Sequence, residues 1–197
     1  FIESICVLNG VPLNLHYHQQ RMNACTDHFF GLQTNLREAW EQRSISLIPS
    51  GKSKCRIVYS DHIESLAITP YILPNKKALR MVICDTIEYP FKFEDRHELN
   101  QLLSASGSDE ILIIRKGLVS DTSFTNVVLE SAEGLFTPAS CLLKGTKRQQ
   151  LLDSGIIQER DIRIADLSGY QNIRLINALI DLEDNIHFPV ADILPCI

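Results

Sequence analysis

The sequence predicts an α+β fold in two domains, and three observations carry that reading. The first 74 residues alternate strand-like runs with two helical patterns, enough for a compact unit. A polar, punctuated stretch, Pro74-Asn-Lys-Lys77, then interrupts the pattern and marks a boundary. The chain beyond it is richer in strands, broken by Gly or Asp/Ser turns. Residues 1–75 are thus expected as a small α+β domain and 76–197 as a larger, strand-rich one. With 197 residues, 45% of them hydrophobic, the chain can bury a core in each.

Taken in order, residues 1–8 read as a strand, Asn9-Gly10 as a hairpin turn and 11–13 as the returning strand. Asn14 can cap a helix from Leu15 to Phe30, which Gly31 stops. Leu15, Met22, Cys25 and Phe29 lie on its apolar stripe. A second helix spans about 34–42, with Leu36, Ala39 and Trp40 inward. Strands are expected at 54–59 and 63–73. In the second half, 79–88 reads as a strand and 95–103 as a helix stopped by Gly107. Further strands are expected at 111–115, 125–131, 135–138, 161–165 and 173–179, and a short helix opens at Lys144-Gly145-Thr146.

Composition excludes several functions. Net charge is −5 and no long basic run occurs, so nucleic acid is not an expected partner. No apolar stretch approaches a membrane span, and no signal pattern opens the chain. The first residue is Phe1, which reads as already within a strand, so some N-terminal residues are expected to be missing. Six cysteines (Cys6, Cys25, Cys55, Cys84, Cys141, Cys196) show no CxxC spacing and read as reduced thiols of a cytoplasmic protein.

Four spots can carry chemistry. Lys92 stands between Phe91 and Phe93; such a lysine either snorkels from an aromatic patch or, desolvated, becomes a better nucleophile. His16-x-His18-x-x-Arg21 suggests a metal, but on a helix the two histidines project about 200° apart, so no metal is expected. Arg21 is either a solvated charge or a fixed guanidinium for a phosphate or carboxylate. Val119-Ser-Asp121-Thr-Ser-Phe-Thr-Asn126 is a hydroxyl-dense turn, ordinary or holding a carboxylate ready for a cation. Leu143-Lys-Gly145-Thr146-Lys147-Arg148 opens a helix on a glycine, a place where phosphate can bind.

The ordered set of motifs resembles one family. Phe1-Ile-Glu-Ser, Asn9-Gly, Pro12-Leu and His18-Gln-Gln-Arg21 resemble the F-E-T, G, P-L and H-x-x-R-L opening of the class IV aminotransferases, fold type IV pyridoxal-phosphate enzymes. Lys92 with Arg96 is similar to their Schiff-base lysine and the arginine four residues on. Val119 to Asn126, Leu135-Phe-Thr-Pro138, the Gly145 loop and Ile176-Asn177-Ala-Leu179 resemble later landmarks, the last most like 4-amino-4-deoxychorismate lyase.

The resemblance implies a D-amino-acid-aminotransferase-like fold shortened at the N-terminus, a homodimer, pyridoxal 5′-phosphate and a small amino-bearing substrate. It implies that Lys92 is the catalytic amine and shuttles the α-proton. Asp121 pairs with the ring nitrogen, Arg21 holds the phosphate, and Gly145, Thr146 and Lys147 complete the phosphate cup. Asn126 orders the turn that presents Asp121. Arg56 and Tyr59, on the same strand, are candidates to meet the substrate, Arg56 at a carboxylate, or else Arg56 is an exposed strand charge. Lyase and transaminase both remain open. The alternative is a non-catalytic paralogue that binds the cofactor or a partner; its support is Asp121 where the family carries glutamate, one C–C bond or about 1.5 Å shorter.

Overall fold

The computed structural model describes residues 1–42 and 49–196 and divides by contact into two units, Phe1–Leu73 with Phe91–Glu94, and Pro74–Pro90 with Asp95–Ile197. The boundary expected after residue 75 leaves Lys92 in the second domain, whereas its segment packs with the first unit. The rings explain this: the Phe91 and Phe93 centroids lie 6.5 and 5.4 Å from that of Phe1, and Phe29 is 5.0 Å from Phe91. The Lys92 carbonyl also accepts from the Ile2 N–H at 2.9 Å.

The first unit is a four-stranded antiparallel sheet with two helices. β1 (Ile2–Leu8) turns through Asn9 and Gly10, both at positive φ (50° and 86°), the backbone a tight two-residue hairpin requires. β2 (Val11–Pro12) returns beside it, with Val7 opposite Pro12. Asn14 sits at φ 56° and makes no side-chain cap; its carbonyl instead accepts from Tyr17 N–H at 3.0 Å. α1 (Leu15–Phe30) ends where Gly31 turns left-handed, and α2 (Leu36–Glu41) is capped by the Asn35 side chain. β3 (Lys52–Tyr59) alternates strictly, burying Ser53, Cys55, Ile57 and Tyr59, and β4 (Ile63–Pro70) closes the order β2-β1-β3-β4. Ile5, Val7, Met22, Leu36, Trp40 and Ile57 form the core.

The second unit holds two sheets. β5 (Leu79–Ile83) is shorter than the strand expected to residue 88. α3 (His97–Ser106) ends at Gly107, and β6 (Glu110–Arg115) runs parallel to β5. β7 (Leu118–Thr122) lies antiparallel to β6, so the hydroxyl-rich stretch expected as a turn is a buried strand that turns only after Thr122. β8 (Asn126–Ser131), β9 (Gly134–Pro138) and α4 (Thr146–Asp153) come next. β10 (Gln158–Arg160), β11 (Asn172–Ile176) and β12 (His187–Pro189) complete a five-stranded sheet, order β10-β9-β8-β11-β12. The strand expected at 161–165 thus lies earlier, and a 3-10 turn, Ile164–Gly169, comes after it. Leu112, Ile114, Val127, Leu129, Ile173 and Leu175 anchor the core.

Candidate active site

In the first unit, His18 and Arg21 stand three apart on α1 and so share one face. Glu3 on β1 meets them. Its carboxylate is fully buried, with Oε1 accepting from Arg21 Nε at 2.8 Å and Oε2 from the Arg21 terminal nitrogen at 2.6 Å. His18 Nδ1 lies 2.6 Å from the same Oε2. Burial alone would raise the Glu3 pKa, but the Arg21 charge and the bonds from His18 and Arg21 outweigh it and hold it at about 2. His18 is held below its ordinary value, first by burial, with Glu3 pulling upward and the charges of Arg21 and Lys92 adding to the fall. Neutral His18 therefore donates from Nδ1, since an ionised carboxylate only accepts.

Lys92 is half-buried in this unit, close enough for its charge to act on His18. Arg56 pairs with Glu94, two residues beyond the lysine, at 2.7 Å. Tyr59 is a core side chain only 1% exposed, hydrogen-bonded to Cys25, and burial raises its hydroxyl pKa. The first unit thus gathers Arg21 and Lys92 with two residues that stand in the quoted motifs but had been given no role at this site, Glu3 and neutral His18. The available signal was an acid set among Ile2, Ile5, Cys6 and Val7 on a strand.

The second unit gathers the remaining candidates. Asp121, near the end of β7, is 5% exposed. Its Oδ1 accepts from Asn126 Nδ2 at 2.8 Å and its Oδ2 from Leu143 N–H at 3.0 Å. The same Asn126 nitrogen donates to the Leu143 carbonyl at 2.8 Å, so one amide stitches β8 to the loop before α4. Asn126 thus binds Asp121 directly. Burial pushes the Asp121 carboxyl up to about 6, against the pull of those donors and of the Arg148 charge.

Gly145 opens α4 with an ordinary backbone, φ −70°, so space rather than conformation demands glycine there. A Cβ would lie 1.9 Å from Asn126 Oδ1. Gly145→Ala is expected to destabilise by about 1–3 kcal/mol through overpacking and to dislodge the Asn126 amide from Asp121. An unshifted thermal midpoint would overturn that expectation.

Thr146 and Lys147 are both buried. The Lys147 ammonium is paired with Asp181, so the cation foreseen beside a phosphate is committed elsewhere and its backbone N–H is what the helix start offers. Arg148, 2% exposed, donates to the Pro138 carbonyl at 2.9 Å and to Glu159.

This donor set fits pyridoxal phosphate. Within the second unit, a buried, pinned carboxylate suits a protonated ring nitrogen, and a helix start with no side-chain cap suits phosphate. Among the described residues, no group of three or more His, Cys, Asp and Glu is arranged to hold a metal, and no helix is long and apolar enough to cross a membrane.

The mixed α+β fold is of the fold type IV class, and the comparisons agree. Residues 95–182 match the amino-transferase class IV family. An uncharacterised protein of Haemophilus influenzae is 32% identical over 182 residues, 90% of this chain and 96% of its own. A protein of Haemophilus somnus 129PT, provisionally named 4-amino-4-deoxychorismate lyase, is 35% identical, covers 91% of this chain and 95% of its own, and superposes with a TM-score of 0.79. A hypothetical aminotransferase of Mycobacterium tuberculosis, solved with pyridoxal phosphate bound, shares the fold at 18% identity, TM-score 0.72, with 100% of this chain and 83% of its own covered. The chain belongs to the class IV aminotransferase family.

Proposed function

We propose that the chain is a pyridoxal-phosphate enzyme acting on a small amino-bearing molecule. The reading is most like 4-amino-4-deoxychorismate lyase, giving 4-aminobenzoate and pyruvate, with an amino-acid transaminase as its neighbour. The observation that carries it is Asp121, a nearly inaccessible carboxylate pinned on both oxygens by amide groups rather than by a cation.

The cofactor, when bound, supplies an electron sink for charge released at the substrate carbon. Asp121 would face the cofactor's ring nitrogen and favour its protonated form. Its reach is shorter than a glutamate's, and Asn126 and Leu143 fix its position. Lys92 would supply the amine that anchors the cofactor and would move the proton at the substrate's amino-bearing carbon. A neutral His18 and an ionised Glu3 leave the Arg21 guanidinium rigidly set for one phosphate face. In the second unit the N–H groups of Thr146 and Lys147, with the Thr146 hydroxyl, offer a phosphate the start of α4 and its dipole. Arg56, already bonded to Glu94, is offered as the group that meets a substrate carboxylate. Tyr59 holds the strand behind it from the core.

The lyase is favoured over the transaminase because the 35%-identical Haemophilus somnus protein bears that provisional name. We further read the molecule as a cytoplasmic homodimer, as the family resemblance implies. The purified protein is expected to be yellow and to lose that colour on borohydride reduction, with the adduct mapping to Lys92. An amino acid added alone should leave the colour of a lyase in place; lasting bleaching would instead establish the transaminase. A colourless protein that takes up no pyridoxal phosphate would overturn the reading and favour the non-catalytic paralogue.

A further inference from the structure

The turn between β7 and β8 joins Asp121 to Asn126, and nearly every polar group in it is tied. The Thr122 N–H donates to the Thr125 carbonyl at 2.9 Å, and the Thr122 hydroxyl meets both the Thr125 hydroxyl, at 2.7 Å, and the Thr125 N–H, at 3.0 Å. Ser123, at the tip, is served from outside. Its N–H donates to Glu110 Oε1 at 2.9 Å, and its carbonyl accepts from the Arg96 guanidinium. Glu110 is fully buried. Its Oε1 also accepts from Ile111 N–H at 3.1 Å, while its Oε2 has no hydrogen-bond partner among the described residues and only the Lys76 ammonium at 3.6 Å.

A buried carboxylate satisfied on one oxygen alone is costly. Neither the helix nor the sheet needs it: the strand partner of Glu110 is Leu79, an apolar residue. Apart from the Lys76 ion pair and its own neighbour's N–H, what it serves is Ser123. Arg96, four residues after Lys92, is a second charged group spent on the same residue, from the opposite side. Two charge-assisted bonds on one tip residue fix a turn more firmly than its own hydroxyls can.

We propose that Glu110 and Arg96 are positioning residues that clamp Ser123 and thereby set the Asp121–Asn126 pair. The inference deepens the cofactor reading and rests on it for its purpose, though not for its test. With the clamp in place the turn excludes water and Asn126 meets Asp121 at one distance. Without it the turn opens, water reaches the carboxylate, and the burial that disfavours its charged form is relieved. The charged and titratable groups around Asp121 on its other sides, Arg148 on α4 and Cys141 in the preceding loop, are unchanged by the clamp.

The test uses the full chain without cofactor, with the side-chain carboxyl carbons of aspartate labelled for NMR. In Arg96→Met the Asp121 titration midpoint is expected to fall by about one pH unit, from about 6 toward the usual value near 3.9. Amide exchange at Ser123 and Thr125 is expected to rise at least tenfold. Arg96→Lys, which can still donate to the Ser123 carbonyl, should restore most of both. A folded Arg96→Met with the wild-type midpoint and wild-type exchange would overturn the proposal. Should that variant not fold, Glu110→Met, which removes the acceptor of the Ser123 N–H, carries the same two readouts: a shift in the same direction supports the clamp and none overturns it. Borohydride labelling of the unaltered chain judges the cofactor reading separately.

Discussion

Lys92→Ala is expected to reduce turnover by about 10²–10⁴-fold or more, the range spanned by a positioned proton-transfer group before its covalent role is counted. The fold should survive, because the side chain is half-buried and the segment is held by other means. Its carbonyl bond to Ile2 N–H involves backbone only, and the packing of Phe91 and Phe93 on Phe1 does not use the lysine. The far-UV spectrum and melting midpoint of the variant should therefore match the wild type, while borohydride no longer fixes pyridoxal phosphate to the chain. Cofactor can still be retained without a covalent bond, through the phosphate contacts. Turnover close to wild type would remove Lys92 from the chemistry, whatever the colour of the protein.

The helices and their ends were legible because their signals are local. An apolar stripe at helical spacing and a glycine at each C-terminus gave α1 and α3, and Gly31 and Gly107 both take positive φ as those stops require. β7 was not legible as a strand. Ser120, Asp121 and Thr122 read as turn-formers, yet all three are buried, because partners distant in sequence satisfy them. Ser120 donates to the Ser140 carbonyl at 2.6 Å and Ser140 to the Val119 carbonyl at 2.6 Å, an exchange no window of β7 can reveal. The same holds for the site. Arg21, Lys92, Asp121 and Gly145 are candidates from ordered motifs, and Glu3 lies in the first of them, whereas Glu110 stands out only by its burial, which depends on what folds over it. Lys147 shows the converse: its place after Gly145 suggested a phosphate cation, and Asp181, 34 residues on, claims it.

Arg21→Ala is expected to do more than loosen the cofactor. It leaves Glu3 with only His18 beside it, and removing one member of a buried ion pair typically costs about 3–5 kcal/mol. The pH dependence of that loss separates it from simple loss of packing. In the wild type the Glu3 pKa is lowered to about 2, so its contribution is fully present above the ordinary carboxylate value of 4.5 and fades as pH falls toward 2. Without the guanidinium the burial contribution dominates and raises the pKa above the unfolded value. The sign then reverses: the native state binds the proton more tightly, and the variant becomes less stable as pH rises. Melting curves of wild type and variant should therefore converge on acidification and diverge toward neutrality. Glu3→Gln combined with Arg21→Ala, which leaves no buried charge, should recover much of the stability at pH 7 yet still fail to retain pyridoxal phosphate. A stability deficit in Arg21→Ala that is constant between pH 4 and 8 would mean that Glu3 is not the reason Arg21 is held inside, and the buried pair would lose the role assigned to it.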